Sequence, residues 1–232
     1  FSVCSSDLGR IEFSSDFYVL RPKDPARANG IALVDVVNRG RKVVVTGFTR
    51  GGSLDPVAEA DLGDRFLLDR GFTLVWVGWE FDVRRQNGLM GIAVPSAQGV
   101  GGMVAADFIP ANTNERQVVG DLVGYAPADP GAAGNMLTVR SSQFGVAETI
   151  ERSRWTIGED NMVTLRGGVE AGRIYRVSYR PKEWPVSGLG LAAFRDVASW
   201  LKYEPDAAVR ARQTLAFGSS QSGRFLRTFL YG

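Results

Sequence analysis

Residues 214–231 read TLAFGSSQSGRFLRTFLY and carry the strongest local pattern in the chain. The apolar run from Thr214 to Phe217 predicts a short buried strand, and the residues from about Arg224 onward have the spacing of an amphipathic helix. Between them lies a turn of small residues, Gly218 to Gly223. A strand, a tight turn and a helix in this order form the context of a nucleophile elbow, in which a side chain projects from the turn.

Ser220 is the candidate nucleophile of this turn. A residue on so sharp a turn has strained backbone angles, and the residues two before and two after it approach neighbouring backbone. Both must therefore be small, and for Ser220 they are Gly218 and Ser222. For Ser222 the later neighbour is Arg224, which is too large. Because Ser222 stands where the plain motif has Gly, a Ser- and Gly-rich helix N-terminus that only caps the helix is the alternative.

A nucleophile that attacks a carbonyl needs two backbone N–H groups to stabilise the negative charge that develops on oxygen. One belongs to the residue after the nucleophile, here Gln221, at the positive end of a helix. The other comes from the loop after the strand that precedes the first helix. We expect this loop at residues 47–53, after a strand at Val43–Val45, with Phe48 or Thr49 as the donor. An ordinary flexible turn is the alternative for this glycine-rich stretch.

Upstream of the elbow, predicted strands and helices alternate. Residues 31–37 and 72–78 are predicted strands, and the second is a nearly unbroken apolar run typical of a strand buried on both faces of a parallel sheet. Residues 57–70 predict a helix between them, with Gly71 as its C-terminal stop. These elements indicate a βαβ unit.

Residues 84–172 differ from the rest of the chain because glycines and prolines separate short strand-like runs and helical periodicity is absent. This stretch predicts a β-rich insertion of about ninety residues, too long for a plain loop. The α/β pattern resumes with a predicted strand at 174–179. We therefore expect one α/β domain over residues 1–232, incomplete at its C-terminus, with the insertion inside it.

Composition restricts the chemistry. The chain has no histidine and a single cysteine, Cys4. These two absences remove the commonest general base, any disulfide within the chain and any multi-thiolate zinc site. The carboxylates and asparagines show no metal-ligand spacing, so the sequence predicts neither a metal nor another cofactor.

Charge and hydropathy exclude two kinds of partner. Lys and Arg number 27 against 25 Asp and Glu, a net charge of +2, and the arginines are scattered among acids. A nucleic-acid binder would concentrate them in a patch. No apolar run approaches the roughly 18 residues of a membrane span. A single cysteine suits a cytoplasmic protein or one exported after removal of a signal peptide, and the oligomeric state is left open.

Several of these stretches together resemble a bacterial family of alpha/beta hydrolase domain proteins. The residues that carry the resemblance are GSSQSGRFLRTFLYG (218–232), GLGLAAFRDVASWL (188–201), VNRG (37–40) and LLDRGFTLVWVGWEFDV (67–83). The resemblance covers most of the chain; its elbow stretch is the most specific part and the insertion is loosely matched. It implies the N-terminal part of an alpha/beta-hydrolase fold, with a mostly parallel sheet.

The same resemblance implies a serine hydrolase of the esterase type, with Ser220 as the nucleophile of a Ser–acid–His triad and a small-molecule ester as substrate. In this fold the acid and the histidine follow the nucleophile along the chain. Both are therefore expected beyond residue 232.

Trp79 and Glu80 are further candidates for the site. They follow the carboxyl end of the predicted buried strand, where ligands bind in open α/β sheets, and are expected to line a pocket. The alternative is an acidic loop that stabilises neighbouring arginines.

Two other functions are consistent with the sequence. In the first, the hydrolase-like scaffold is not catalytic and its β-rich insertion binds a glycan or a protein. In the second, the G-x-G-x-x-A pattern of Gly188, Gly190 and Ala193 binds a nucleotide. The true motif opens directly from a strand, whereas here it opens a predicted helix that Ser187 caps. This difference favours helix packing.

Overall fold

The computed structural model describes residues 11–41, 65–83, 88–120, 123–205 and 209–231. The chain forms two compact units, the first from residues 1–95 and 187–232, the second from residues 96–186. The strands are β1 (Ser14–Ser15), β2 (Phe17–Leu20), β3 (Ile31–Val36), β4 (Thr73–Val77), β5 (Ile92–Ala93), β6 (Val104–Phe108), β7 (Arg116–Val118), β8 (Met136–Arg140), β9 (Glu148–Thr149), β10 (Trp155–Ile157), β11 (Met162–Leu165), β12 (Ile174–Tyr179) and β13 (Gln213–Phe217). The α-helices are α1 (Phe66–Asp69), α2 (Leu189–Tyr203) and α3 (Gln221–Tyr231).

The first unit is built on a four-stranded sheet in the order β13-β3-β4-β2. Strands β13, β3 and β4 are parallel, and β2 pairs with β4 in the antiparallel direction. All five residues of β4 are buried, as its unbroken apolar run predicts. The sheet is therefore mostly parallel within the described residues.

Helices α2 and α3 pack on one face of this sheet. The buried residues of α2 follow helical spacing and include Phe194, Val197 and Leu201. Phe194 meets Phe225 of α3 edge to face, with ring centroids 5.9 Å apart. Burial of each such side chain adds roughly 1.5–3 kcal/mol to the free energy of unfolding. These contacts therefore stabilise the packing of α3, the helix that follows the predicted elbow, against the sheet and α2.

Residues 57–64 of the helix predicted at 57–70 lie outside the described residues, and Arg65 is not helical, because its φ of 60° is left-handed and it forms the N-cap of α1. Helix α1 covers Phe66–Asp69, and the predicted strand Val43–Val45 lies outside the described residues. Gly71 follows α1 with φ +80°, and a Cβ there would lie 2.1 Å from the Arg27 carbonyl oxygen. Only glycine fits both the conformation and the space.

The second unit consists of two antiparallel sheets around its own core. Their strand orders are β10-β11-β7 and β6-β12-β8-β9. Trp155, Leu137, Ile157 and Tyr179 are among its fully buried side chains. The alternation of exposed and buried residues along these strands is typical of antiparallel sheets with one solvent-facing side.

Three expectations need correction. Strand β12 does not return to the α/β part, because it pairs with β6 and β8, so the second unit ends at Val186. Ser187 is not the cap of α2: the N-cap is Gly188, with φ 92° and no side-chain hydrogen bond, a conformation that glycine adopts easily. Strand β13 is not buried, since three of its five residues are exposed at the edge of the described sheet.

Candidate functional site

Ser220 occupies the turn between β13 and α3. Its φ of 56° lies in the left-handed region, which non-glycine residues seldom adopt, and the residue is exposed. The amide of Arg224 donates to the Ser220 carbonyl at 3.2 Å. The turn therefore presents a serine to solvent in the strained conformation that an elbow requires.

Both small residues around Ser220 are closely packed. A Cβ on Gly218 would lie 2.6 Å from the Ser222 carbonyl oxygen and 3.0 Å from Leu226 Cδ1. Ser222 is fully buried, and its Oγ donates a hydrogen bond of 3.2 Å to the Val37 carbonyl. The second small residue thus anchors the first turn of α3 to the residue that follows β3.

The residues after β3 reach the elbow directly. Asn38 Nδ2 donates to the Ser219 carbonyl at 3.0 Å. Trp79 Nε1, after β4, donates to the Val37 carbonyl at 2.7 Å. These bonds join the carboxyl ends of β3 and β4 to the turn after β13. Asn38 was not predicted as a site residue, although a polar residue directly after a buried strand is a signal for one.

The position of the elbow in the sheet favours ligand binding. Strand β3 has β4 on one side and β13 on the other, so the strand order reverses between β3 and β13. In open α/β sheets, ligands bind outside the carboxyl ends of the strands at such a point. Ser220 and Asn38 both lie there.

Of the two predicted oxyanion donors, one lies within the described residues and the candidates for the other do not. Gln221 is the first residue of α3, next to Ser220. Phe48 and Thr49 lie outside the described residues. The described strand that pairs with β13 is β3, and the residue that follows β3 is Val37.

A pocket of about 400 Å³ lies along α3 in the first unit. Trp79 and Glu80 line it together with Gln221. Its other lining residues come from the segment after β4, the start of α2 and one face of α3: Phe81, Asp82, Ser187, Gly188, Gly190, Leu191, Arg224, Phe225 and Thr228. The wall is mainly aromatic and aliphatic, with charged groups from Glu80, Asp82 and Arg224.

Glu80 is the buried carboxyl of this pocket, with 5% of its surface exposed. Burial, followed by the negative charge of Asp82, raises the pKa of Glu80 to about 7. Hydrogen bonds from the backbone N–H groups of Gly40 and Arg39, and the Arg39 charge, act in the opposite direction. Glu80 therefore changes its charge near neutral pH.

The glycine pattern at the start of α2 serves helix packing. A Cβ on Gly190 would lie 2.6 Å from the carbonyl oxygen of Trp79, so the missing side chain lets the helix approach the segment after β4.

Among the described residues, no three His, Cys, Asp or Glu side chains are grouped as metal ligands. Within the same residues, no helix is long and apolar enough to cross a membrane.

Comparison with known proteins gives one match. Residues 155–232 match the family model of the alpha/beta hydrolase domain. The matched stretch contains α2, β13, the elbow and α3. No curated protein and no solved structure matches the chain at the significance required. The match supports a hydrolase and an alpha/beta hydrolase fold for this part of the chain.

Proposed function

We propose that this protein is a serine hydrolase that cleaves carboxylic esters through an acyl-enzyme on Ser220. The observation that carries the proposal is the left-handed Ser220, exposed on the turn between a parallel strand and a helix. The turn lies within the part of the chain that matches the alpha/beta hydrolase domain. A helix N-terminus that only caps would not require this strained conformation.

In the proposed reaction the Ser220 oxygen attacks the carbonyl carbon of the ester and forms a tetrahedral intermediate. The backbone N–H of Gln221, at the positive end of α3, stabilises the oxyanion. The second donor comes from the segment after β3, where Phe48 and Thr49 are the sequence-based candidates. The intermediate then expels the alcohol, and water hydrolyses the acyl-enzyme.

The general base of this reaction must take the proton of Ser220 and return it to the leaving alcohol. It is not an imidazole of these 232 residues, because none of them is histidine. We propose that the base and the acid of the triad lie beyond residue 232, in the order that this fold uses. No metal or other cofactor takes part in the proposed steps.

The pocket along α3 indicates the kind of ester. Trp79, Phe81, Leu191 and Phe225 give it an apolar wall, and Gln221 joins it to the elbow. Such a wall binds an apolar acyl or alcohol group by excluding water. The proposed substrate is therefore a small-molecule ester with an apolar substituent.

Hydrolysis of p-nitrophenyl acetate and butyrate by the natural protein tests the proposal. Ser220→Ala is expected to lower kcat on the order of 10³-fold or more. Ser219→Ala is the matched control, because Asn38 bonds only to the Ser219 backbone, and it should stay near the wild-type rate. Turnover that survives Ser220→Ala would overturn the proposal. A wild-type protein without turnover would favour the non-catalytic alternative, in which the β-rich insertion binds a glycan or a protein.

A further inference from the structure

The two peptide groups on either side of Ser220 are both held by hydrogen bonds. The Ser219 carbonyl accepts the Asn38 side-chain amide at 3.0 Å and the Ser222 backbone amide at 3.1 Å. The Ser220 carbonyl accepts the Arg224 backbone amide at 3.2 Å. Because peptide groups are planar, the orientations of these two determine φ and ψ of Ser220. Of these three bonds, the one from Asn38 comes from outside the turn and α3.

The two bonds from α3 do not account for the left-handed conformation of Ser220. Bonds of this kind form at the start of an ordinary helix, where the residue before the first turn usually has extended backbone angles. A non-glycine residue with a φ of 56° is strained, and it keeps this conformation only where its surroundings determine it. A contact from outside the helix is therefore needed, and the Asn38 side-chain amide supplies one.

The backbone around Asn38 is itself fixed. Val37 N donates to the Val77 carbonyl at 3.2 Å, and the Val37 carbonyl accepts Trp79 Nε1 at 2.7 Å. On the other side, Arg41 N donates to the Asn38 carbonyl at 3.0 Å and closes the turn after β3. A side chain on a backbone that is fixed on both sides gives rigid support to the group it bonds.

We propose that Asn38 is a positioning residue: its side-chain amide holds the Ser219 carbonyl and thereby keeps Ser220 in position to attack. The inference rests on the proposed function. Asn38 acts through the backbone of the turn and needs no contact with the substrate. Its loss should therefore slow the attack by Ser220 and leave the binding of the attacked compound unchanged. A displacement of about 1 Å lowers a rate by as much as 10²-fold.

Asn29 provides a matched control at the other end of β3. Its Nδ2 donates to the Arg70 carbonyl at 2.9 Å, a bond of the same type between distant parts of the chain. Its Oδ1 accepts the Ile31 amide at 2.8 Å, a bond that an aspartate keeps. The six residues of β3 extend over about 20 Å between the two asparagines. Asn29→Asp and Asn38→Asp therefore remove the same kind of donor, the first far from Ser220 and the second beside the turn that carries it.

The first part of the test measures the bond without using activity. Hydrogen exchange of the Ser222 amide is followed by NMR in the natural protein, because this amide donates to the same Ser219 carbonyl. Asn38→Asp and Asn38→Ala, each checked for folding by circular dichroism, should speed this exchange roughly five- to tenfold, since the carbonyl loses one of its two hydrogen bonds. Asn29→Asp should exchange at the wild-type rate. Unchanged exchange in both Asn38 variants, or equal acceleration in the control, overturns the proposal.

The second part follows labelling of Ser220 by a fluorophosphonate at several concentrations. This measurement separates the maximal rate of attack from the half-saturating concentration. Both Asn38 variants should lower the maximal rate roughly ten- to a hundredfold and keep the half-saturating concentration within about twofold, whereas Asn29→Asp should keep both values.

Three results would contradict this expectation. A wild-type maximal rate in both Asn38 variants overturns the positioning role. A raised half-saturating concentration at an unchanged maximal rate also overturns it, because Asn38 would then act on binding. Absence of labelling in the natural protein overturns the proposed function and with it this role, and the exchange of the Ser222 amide then reports the Asn38 bond separately.

Discussion

At the scale of single residues, Ser222 has a role that the plain elbow motif does not contain. Its hydroxyl is fully buried and donates to the Val37 carbonyl, which also accepts the indole N–H of Trp79. A glycine would leave that carbonyl with the indole alone. The serine is therefore small enough for the turn and also fastens α3 to the central strand.

Gly218 allows a direct test of the packing around the elbow. In Gly218→Ala, the new Cβ would meet the Ser222 backbone at 2.6 Å, so the variant should lose about 1–3 kcal/mol of unfolding free energy. Urea denaturation measures the loss. Gly134→Ala is the control, because a Cβ there meets nothing within 4 Å, and it should change stability by less than about 0.5 kcal/mol. Equal effects in the two variants would contradict the described packing.

Ser220 can be predicted from the sequence as a site residue and Asn38 cannot, for a physical reason. The rule that selects Ser220 concerns residues two positions away, and such a steric rule can be read locally. The bond from Asn38 to Ser219 joins residues 181 apart, and no local pattern reports it. The neighbour of β13 in the sheet is likewise not a local property: residues 31–37 and 43–45 are both predicted strands, and the pairing of β13 with β3 appears only in the sheet.

At the scale of elements, β3 carries an unusual buried carboxyl. Asp35 lies opposite Trp76 of β4 and Phe217 of β13, with 6% of its surface exposed. Burial raises its pKa from 3.8 to about 8, although a hydrogen bond with the Trp76 side chain acts to lower it. The folded protein therefore keeps this proton up to about pH 8, whereas the unfolded chain loses it near pH 4.

The raised pKa of Asp35 determines how the free energy of unfolding changes with pH. Between about pH 4 and pH 8 the folded state binds more protons than the unfolded state, so Asp35 makes stability fall as the pH rises. Asp35→Asn keeps the shape and removes the charge. The variant should match the wild type near pH 4 and exceed its unfolding free energy by as much as roughly 5 kcal/mol at pH 9.

Urea denaturation of both proteins at several pH values measures this difference. Asp69→Asn provides the comparison, because its carboxyl is exposed and its difference from wild type should stay nearly constant with pH. A constant difference for Asp35→Asn as well would show that Asp35 is not buried as a neutral acid.

Strand bounds were predicted better than strand partners. The predicted strand at 174–179 coincides with β12, because alternation of apolar and polar residues is a local property. The sheet to which β12 belongs is not local, and the prediction assigned it to the wrong part. The cap of α2 was missed because the left-handed Gly188, and not a side-chain oxygen, forms its N-terminus.

At the scale of the whole molecule, the chain forms two units with separate cores. Leu137 is fully buried in the second unit, in a cluster with Trp155, Val163 and Tyr179. Leu137→Ala should destabilise this unit by about 2–5 kcal/mol. Native-state hydrogen exchange is expected to show faster exchange for buried amides of residues 96–186, with those of β3 and β4 little changed. Equal acceleration in both units would mean that they unfold together.

The β-rich insertion predicted from composition and the second compact unit have different bounds. The sequence places the β-rich insertion at 84–172, where glycines and prolines replace helical periodicity, and the compact unit spans 96–186. The difference arises at the C-terminal end from β12, whose partners β6 and β8 lie earlier in the chain. Only long-range pairing determines that boundary.

The central claim is that Ser220 is the nucleophile. The most direct measurement is to react the natural protein with a fluorophosphonate and locate the adduct by peptide mass mapping. The account predicts a single adduct on Ser220, present in Ser219→Ala and absent in Ser220→Ala. An adduct on another residue, or equal labelling of the Ser220→Ala variant, would contradict it.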